Sequence, residues 1–288
     1  MATLRQLRDR VKSLKNTQQI TRAMKMVAGA RIRRAELAMR AARPYSAAIG
    51  EMLREVSRGA SSVDHPLLRD RPVTTPAVLL MTADKGLAGA FNANLARAAQ
   101  NLADTSGART VLYTVGTKGA VMLRRSRYRS AASWPLGAGP FVERAREISR
   151  RVSSDFLAGS IDAMTLVSSR FVSTIVQRPT TQRLLPVNGA AELASLDGTA
   201  PRSPFEFEPD ARAVLASLLP KYLEFTIFAA LLETQASEFA ARLLAMSNAT
   251  DNAGKLIDDL TLVMNKTRQA AITKEILEIV GGAEAQRT

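Results

Sequence analysis

The sequence has no cysteine, a single histidine and few aromatic residues, which make up 5% of the chain. Without cysteine it can form neither a disulfide nor a thiolate zinc site, and His65 alone cannot build a metal site. Proteins that bind single-stranded nucleic acid place aromatic rings among basic residues to stack on bases, yet no aromatic residue precedes Tyr45. We therefore expect no metal, no cofactor and no thiol chemistry.

Long hydrophobic runs and catalytic motifs are also missing. No apolar run approaches the roughly 20 residues that a membrane-spanning helix needs, and the N-terminus lacks a secretory signal. The sequence contains neither the G-x-S-x-G motif of hydrolases nor the glycine-rich motifs that bind nucleotides. Two short glycine-containing stretches, Asp84 to Asn92 and Gly116 to Gly119, follow predicted strands. We interpret both as tight strand-to-helix connections, with phosphate binding as the less favoured alternative, and we expect no enzyme activity from the chain by itself.

Basic residues are concentrated at the N-terminus. The chain carries a net charge of +14, and residues 1–60 hold fourteen Lys and Arg against four acidic residues, whereas residues 221–288 hold seven against nine. A segment of this charge favours an acidic partner, and charge alone does not distinguish nucleic acid, anionic lipid and an acidic protein surface. A basic coiled-coil protein that binds nucleic acid is therefore an open alternative at this point.

The first sixty residues predict one long helix. Its apolar residues recur at steps of three and four: Leu4, Leu7, Val11 and Leu14. Thr3 followed three residues later by Gln6 is typical of a capping box at the start of a helix. No proline interrupts the pattern before Pro44, where we expect a bend.

Residues 209–288 predict a second long helix. One stripe of residues at steps of three and four marks the face expected to pack on the first helix: Phe239, Leu243, Met246, Thr250, Ala253, Leu256, Leu260 and Val263. Acid-before-base pairs four residues apart, Glu238 with Arg242 and Asp251 with Lys255, are expected on its exposed face, where they support the helix. Many apolar residues lie off this stripe, so we expect another protein to cover part of the helix.

Between the two helices, residues 73–208 alternate β-type runs with helical patterns. The predicted strands are 77–83, 110–115, 161–167 and a candidate at 183–187, and the predicted helices are 92–102, 117–125 and 141–157. Such alternation is typical of β-α-β units with a mainly parallel sheet. The predicted fold class is α/β plus long helices, in which an antiparallel coiled coil of N- and C-terminal helices carries a central Rossmann-like α/β domain.

Several stretches closely resemble one family, the gamma subunit of bacterial F-type ATP synthases. Residues 16–28, N-T-Q-Q-I-T-R-A-M-K-M-V-A, together with residues 233–246 and 265–280, resemble its two terminal helices. In the middle, D-K-G-L-A-G-A-F-N at 84–92 resembles the family's D-R-G-L-C-G-x-x-N, and F-E-P at 207–209 resembles its Y-E-P. The resemblance covers nearly the whole chain, with the stretches in the same order.

The resemblance implies a mechanical part in ATP synthesis. In this family the terminal helices, residues 1–60 and 209–288 here, form a shaft whose upper end turns inside a ring of three alpha and three beta subunits. The foot of the shaft and the central domain, residues 73–208 here, bind the epsilon subunit and the membrane c-ring, and ion flow turns the c-ring and shaft. ATP is made on beta, so no catalysis is implied for this chain alone. The absence of a transit peptide favours a peripheral position at the cytoplasmic side of a bacterial membrane.

The resemblance also implies partner contacts, residue by residue. Met24 and Lys25 would face an acidic loop of a beta subunit, with Arg242 nearby on the opposing helix. The residues that would hydrogen-bond into the ring are Arg268, Gln269 and Thr273. The residues that would lie at the foot, near the c-ring, are Phe205, Glu206, Phe207 and Glu208.

The face of the N-terminal helix is also predicted from this resemblance. Ile20, Met24 and Val27 would pack against the C-terminal helix, while Lys25 and the arginines after it would meet acidic loops of the ring. Two alternatives stay open from the residues themselves: plain coiled-coil packing for Met24, and a pair with Glu238 alone for Arg242.

Overall fold

The computed structural model of the chain describes residues 3–59, 65–106, 109–187, 208 and 210–285. It divides into two compact units, one of residues 1–28 with 243–288 and the other of residues 29–242. The first unit is helical in all of its described residues from Leu4 onward, and the second holds the sheet. Each unit is described by itself below.

A five-stranded sheet forms the centre of the 29–242 unit, with the strand order β3-β2-β1-β4-β5. The strands are β1 Pro76–Met81, β2 Val111–Val115, β3 Arg129–Trp134, β4 Ala163–Phe171 and β5 Gln177–Leu185. The first four strands pair in parallel, and β5 pairs antiparallel with β4. The three main predicted strands are confirmed as β1, β2 and β4. The candidate at 183–187 is the end of a longer strand, and β3 has no counterpart among the predicted strands.

Helices cover both faces of this sheet. The segments α2 Phe91–Ser106, α3 Thr117–Leu123 and α4 Phe141–Leu157 match the three predicted helices. Alternate residues of a strand point to opposite faces. Leu80 of β1 accordingly lies in the core that includes α2 and α3, while Leu79 lies in the core that includes α4. A single turn of 3-10 helix at Pro66–Leu68 precedes the sheet.

The first helix, α1, spans Leu4–Gly59. Its start has the predicted capping box: the Thr3 N–H donates to Gln6 Oε1 at 3.0 Å, and the Gln6 N–H donates to Thr3 Oγ1 at 3.3 Å. Pro44 lies inside the helix, which is not interrupted there. Beyond this proline the side chain of Leu53 is fully buried in the core that includes α4, so tertiary packing holds the last turns in place.

The last helix, α5, spans Ala211–Ala285 and continues through Pro220. Asp210 caps it, because its Oδ1 accepts the Ala213 N–H at 2.7 Å. Contrary to the sequence expectation, α5 is long and apolar enough to cross a membrane, with a window of mean hydropathy 1.5 that is 33% buried. The core helix of a soluble protein passes the same test, and the first turns of α5 place three leucines in the core: Leu215, Leu219 and Leu223. The length and composition of α5 alone therefore do not show whether this helix crosses a membrane.

In the unit of residues 1–28 and 243–288, α1 and α5 pack along one stripe of each helix. The buried residues are Leu7, Val11, Thr21 and Ala28 of α1 and Met246, Ala253 and Ile257 of α5. The predicted stripe of α5 is right at Met246 and Ala253 and wrong at Leu256 and Val263, which are 50% and 46% exposed. An α-helix has 3.6 residues per turn, so steps of four must outnumber steps of three. After Ala253 the buried stripe takes a step of four to Ile257, where the prediction takes three.

The predicted packing face of α1 is also off by one residue. Ile20 and Val27 are 60% and 51% exposed, and their neighbours Thr21 and Ala28 are buried instead. Met24 is half-buried. One residue corresponds to about 100° around a helix, so the error moves the expected face by more than a quarter turn.

Candidate partner-contact surfaces

The N-terminal part of α1 presents a basic surface without internal neutralisation. Its seven Lys and Arg side chains are all exposed or half-exposed: Arg5, Arg8, Arg10, Lys12, Lys15, Arg22 and Lys25. Among the described residues none of these seven forms an ion pair, and Asp9 is the single acidic residue in this part of the helix. Bases without an internal partner create a positive potential that favours an acidic partner.

A polar contact joins the two helices inside this region. The Thr250 hydroxyl donates to Thr21 Oγ1 at 2.9 Å, and the Gln18 amide donates to the Thr250 carbonyl at 3.4 Å. Gly254 leaves room for this amide, because a Cβ at that position would lie 3.0 Å from Gln18 Nε2. A polar pair in an otherwise apolar stripe favours one register, since a slip would place the hydroxyls against apolar side chains.

Met24 and Lys25 lie beside this polar contact. Both are half-buried, and Lys25 lines an open groove of about 610 Å³ together with Arg22 and Asp251. Within the described part of the chain the Lys25 ammonium has no ion-pair partner, although the groove contains one carboxylate. Its charge is therefore available to a partner.

The far part of α5 exposes both polar and apolar side chains. Arg268, Gln269 and Thr273 are exposed, as a contact role requires. Thr273 Oγ1 donates to the Gln269 carbonyl at 3.0 Å, whereas the side chains of Arg268 and Gln269 have no hydrogen bond to any described residue. Around them the large apolar side chains are 46% to 71% exposed: Leu262, Val263, Ile272, Ile276, Leu277, Ile279 and Val280. So many large apolar side chains exposed along one helix are typical of an interaction site.

Arg242 is buried, unlike the other predicted contact residues that the structure describes. Its Nη2 lies 2.5 Å from Glu238 Oε1 and donates to the Gly86 carbonyl at 3.1 Å. Burial raises the pKa of Glu238 and outweighs the lowering that Arg242 causes. The predicted pair of Glu238 with Arg242 is therefore confirmed, but its expected place on the exposed face is wrong, because both side chains are buried. Among the described residues Asp251 and Lys255 form no ion pair.

Asp84 holds together the loops at the carboxyl ends of the strands. Its carboxylate accepts the backbone N–H groups of Thr117 at 2.9 Å, Leu136 at 3.0 Å and Gly137 at 2.8 Å, and the Thr117 hydroxyl at 3.0 Å. Burial pushes the pKa of Asp84 upward, but these hydrogen bonds outweigh it and leave the pKa below its ordinary value. Many α/β domains bind a phosphate at this edge of the sheet. Here the Asp84 carboxylate occupies the backbone N–H donors that a phosphate would otherwise use.

The glycines of the second stretch are explained by close packing on Thr82. Gly116 has a φ of +94°, and a Cβ there would lie 2.1 Å from the Thr82 carbonyl oxygen. Gly119 donates its N–H to Thr82 Oγ1 at 2.8 Å, and a Cβ on Gly119 would lie 2.6 Å from the same oxygen. These contacts support the interpretation of the stretch as a tight connection.

A cavity of about 620 Å³ in the 29–242 unit lies beside the carboxylates of Asp84 and Glu238. Asp84 and Glu238 line it together with four basic side chains, which are Arg31, Arg34, Lys85 and Arg242. Sequence patterns predict the pair of Glu238 with Arg242, but they do not predict that Asp84 and Glu238 line one cavity. The local features that could have drawn attention to these residues are the position of Asp84 just after a predicted strand and the position of Glu238 among apolar neighbours on a predicted helix.

The residues predicted at the foot are only partly described. Phe205, Glu206 and Phe207 lie outside the described residues, and Glu208 is exposed. Their contact with a partner stays a prediction.

Comparisons with known proteins agree along the whole chain. A family model described as ATP synthase matches residues 3–286. The chain is 48% identical to the ATP synthase gamma chain of Desulforamulus reducens and 46% identical to that of Pelotomaculum thermopropionicum, over 99% of each chain in both cases.

Solved structures share the fold. A chain of the central stalk and c-ring structure of Tetrahymena thermophila mitochondrial ATP synthase superposes with a TM-score of 0.62 and 26% identity, covering 80% of this chain and 99% of that one. A chain of the Euglena gracilis mitochondrial ATP synthase superposes with a TM-score of 0.71 and 19% identity, covering 98% and 94%. None of these matches supports the nucleic-acid alternative. The chain therefore belongs to the ATP synthase gamma chain family.

Proposed function

We propose that the chain is the central-stalk rotor subunit of a rotary ATP synthase, coupling ion flow through the c-ring to ATP synthesis on the beta subunits. The observation that carries this proposal is the exposed apolar surface of α5 around Arg268 and Gln269, in a chain whose relatives along its full length are ATP synthase gamma chains. Such a surface needs a cover in the working protein, and a ring of three alpha and three beta subunits would supply it. The other partners are the epsilon subunit and the c-ring, and nucleic acid is not a partner.

The proposed role is mechanical, with no catalysis by this chain alone. Residues 1–60 and 209–288 would form the shaft, and residues 73–208 would form the domain at its foot. The subunit would be peripheral, at the cytoplasmic side of the bacterial plasma membrane, and would touch the membrane only through the complex. Its family membership supports this arrangement, as do the seven bases in the N-terminal part of α1 that form no ion pair with a described residue.

The proposed contact residues fall into three groups. Met24 and Lys25 would meet an acidic loop of a beta subunit, and a contact of Arg242 would use the part of its guanidinium not bound to Glu238. The residues that would hydrogen-bond into the ring are Arg268, Gln269 and Thr273. The residues that would lie against the c-ring are Phe205, Glu206, Phe207 and Glu208. A polar side chain on a covered helix needs a hydrogen-bond partner, which supports the second group.

Co-purification tests the assembly. The full-length chain, tagged and expressed in its native host, should bring down an alpha/beta assembly with ATPase activity. A tagged chain that recovers no such assembly would refute the rotor function.

Replacing Arg268 and Gln269 together by Ala tests the contacts. A lost hydrogen bond to a charged group costs about 1.5–3 kcal/mol, so we expect coupled ATP synthesis to fall about tenfold or more while the amount of assembled complex stays within about twofold. The matched control replaces Asn265 and Lys266, which are exposed one turn earlier on the same helix, by Ala. Unchanged synthesis in the Arg268 and Gln269 variant, or an equal loss in the control, would reject the assignment of these two residues.

A further inference from the structure

A large groove in the 29–242 unit has no part in the function proposed above. It has a volume of about 1220 Å³ and lies between α1, α5 and the strand pair β4 and β5. Three arginines line it, one from each of three elements: Arg43 from α1, Arg170 from β4 and Arg178 from β5. All three are exposed, and among the described residues none of them forms an ion pair.

The strand register places two of these arginines side by side on one face of the sheet. Arg170 pairs directly with Arg178 across β4 and β5, so their side chains point to the same face of the sheet. Like charges directly opposite each other on neighbouring strands destabilise a sheet. The next pair on this face is small and polar, because Ser168 stands opposite Thr180, and the Thr180 hydroxyl donates to the Ser168 carbonyl at 3.5 Å. The floor of the groove is therefore polar, with a concentration of positive charge at one end.

Glu233 is the single carboxylate that lines the groove. Its Oε1 accepts the Phe171 N–H at 3.0 Å, so part of its acceptor capacity is used by the backbone. Burial raises the pKa of Glu233, against the lowering caused by this N–H and by Arg170 and Arg43. Three arginines against one carboxylate leave a net charge of +2 in the lining even when Glu233 is ionised.

We propose that this groove binds a phosphate-bearing anion, held by the neighbouring guanidinium groups of Arg170 and Arg178 together with a third from Arg43. A planar guanidinium presents paired N–H donors that match the oxygens of a phosphate, and two neighbouring arginines can bind one phosphate together. An anion between them also removes the repulsion that the register creates. Tyr222 adds a hydroxyl and an aromatic ring to the lining, and the volume suffices for a ligand larger than phosphate alone.

Titration calorimetry with sodium pyrophosphate tests this site on the full-length chain at low ionic strength. The test variant carries Arg170→Gln and Arg178→Gln. The matched control carries Arg97→Gln and Arg125→Gln, two exposed arginines of the same unit that do not line the groove, and it loses the same charge. We expect the affinity for pyrophosphate to fall at least tenfold in the test variant and to stay within about twofold in the control, since a tenfold loss corresponds to one strong charged contact.

A stability measurement separates binding from a structural role. Without an added anion, Arg178→Gln should raise the urea midpoint because it removes the cross-strand repulsion, and added pyrophosphate should stabilise the wild type but not this variant. Arg43→Gln, on an exposed helix position, provides a second binding variant that leaves the strand pair unchanged. Its pyrophosphate affinity should also fall.

The source of the anion is decided by a vesicle assay. Arginine-dependent binding to phosphatidylglycerol vesicles over phosphatidylcholine vesicles, stronger than binding to pyrophosphate, would assign the site to a lipid headgroup. Binding to pyrophosphate alone would assign it to a soluble phosphate compound. Equal pyrophosphate affinity in wild type, test variant and control would overturn the proposal. So would a test variant that keeps its pyrophosphate affinity but loses the epsilon subunit from the complex, because the groove would then be a protein contact. The calorimetry, stability and vesicle results do not depend on whether the chain is a rotor subunit.

Discussion

The buried pair of Glu238 and Arg242 supports a quantitative prediction about stability. Both side chains are less than 10% exposed, and they lie one turn apart on α5 with an N–O distance of 2.5 Å. Arg242→Ala leaves the Glu238 carboxylate buried without its counter-charge and the Gly86 carbonyl without its side-chain donor. Breaking a buried ion pair from one side costs about 3–5 kcal/mol, and we expect the free energy of unfolding to fall by that amount at neutral pH.

The loss should depend on pH in a defined direction. Burial already raises the pKa of Glu238 above its ordinary value of 4.5, and Arg242→Ala raises it further because the main lowering interaction is gone. A carboxyl whose folded pKa is raised contributes stability that is fully present below the unfolded pKa and is lost as pH rises through the folded pKa. The destabilisation by Arg242→Ala should therefore be largest at neutral pH and shrink toward pH 4.5.

Urea unfolding followed by tryptophan fluorescence measures this effect. Trp134 is the only tryptophan, is 8% exposed and stacks on Tyr113 inside the 29–242 unit, so its emission reports on the folding of that unit. The double change Glu238→Leu with Arg242→Met removes both charges and should stay within about 2 kcal/mol of the wild type, because an apolar pair of similar size can replace a buried ion pair. A loss below about 1 kcal/mol for Arg242→Ala, or a loss that does not change with pH, would refute the reasoning.

An exposed pair supplies the control for this experiment. Arg183 lies 3.3 Å from Asp70, with side chains 42% and 73% exposed. Ion pairs at such positions contribute about 0–1 kcal/mol, so Arg183→Ala should have a small effect at every pH. The contrast between the two arginines isolates burial as the cause.

Three further predictions concern the loops and the helix pair. Asp84→Asn should lower the free energy of unfolding by about 1.5–3 kcal/mol at neutral pH, because it weakens charge-assisted hydrogen bonds. The folded pKa of Asp84 is lowered, so the extra stability that Asp gives over Asn is present above the unfolded pKa. In urea titrations this extra stability should vanish as pH falls through the folded pKa. Thr21→Val and Thr250→Val should each destabilise the full chain, as measured by thermal unfolding followed by circular dichroism. In the double variant we expect a coupling free energy of about 0.5–1 kcal/mol between the two changes. Strictly additive effects would argue against the hydrogen bond between the two hydroxyls. Gly116→Ala should cost at least about 2 kcal/mol more than Gly137→Ala in tryptophan fluorescence, because both positions have positive φ but only the first meets a carbonyl oxygen; equal costs would show that the clash is relieved.

Apolar periodicity predicts which helices exist better than it predicts which residues they bury. The two long helices follow from steps of three and four, yet the buried stripe of α5 passes through Ile257 and not through Leu256. Both are large aliphatic residues, so the pattern offers two faces of similar hydrophobicity. The shape of the helix packed against α5 decides which of the two residues is buried. The sequence of one helix alone does not contain that information.

The edge strand β3 shows a second limit of sequence patterns. Its residues, R-S-A-A-S-W, include alanines and serines that do not favour strands. Parallel pairing with β2 and the packing of Trp134 on Tyr113 hold them in the sheet. A strand that depends on its neighbours in this way has no signal of its own in the sequence.

The candidate contact residues can be predicted from local sequence, whereas the internal hydrogen-bond networks cannot. The contacts proposed for Lys25, Arg268 and Gln269 come from local stretches that resemble a family, so a single sequence suffices to name them. The role of Asp84 depends on backbone groups 33 to 53 residues away, which only the folded chain brings together.

The exposed apolar end of α5 has a consequence for the supply of this chain in the cell. Side chains such as Ile279, Leu277 and Val280 are 59% to 71% exposed in the free chain. A copy made without its partners therefore exposes an apolar helix that can associate with other unassembled copies. Surfaces of this kind promote aggregation at cellular concentrations. Translation in excess of the ring subunits would therefore load chaperones and proteases, which favours synthesis in a fixed ratio with those subunits.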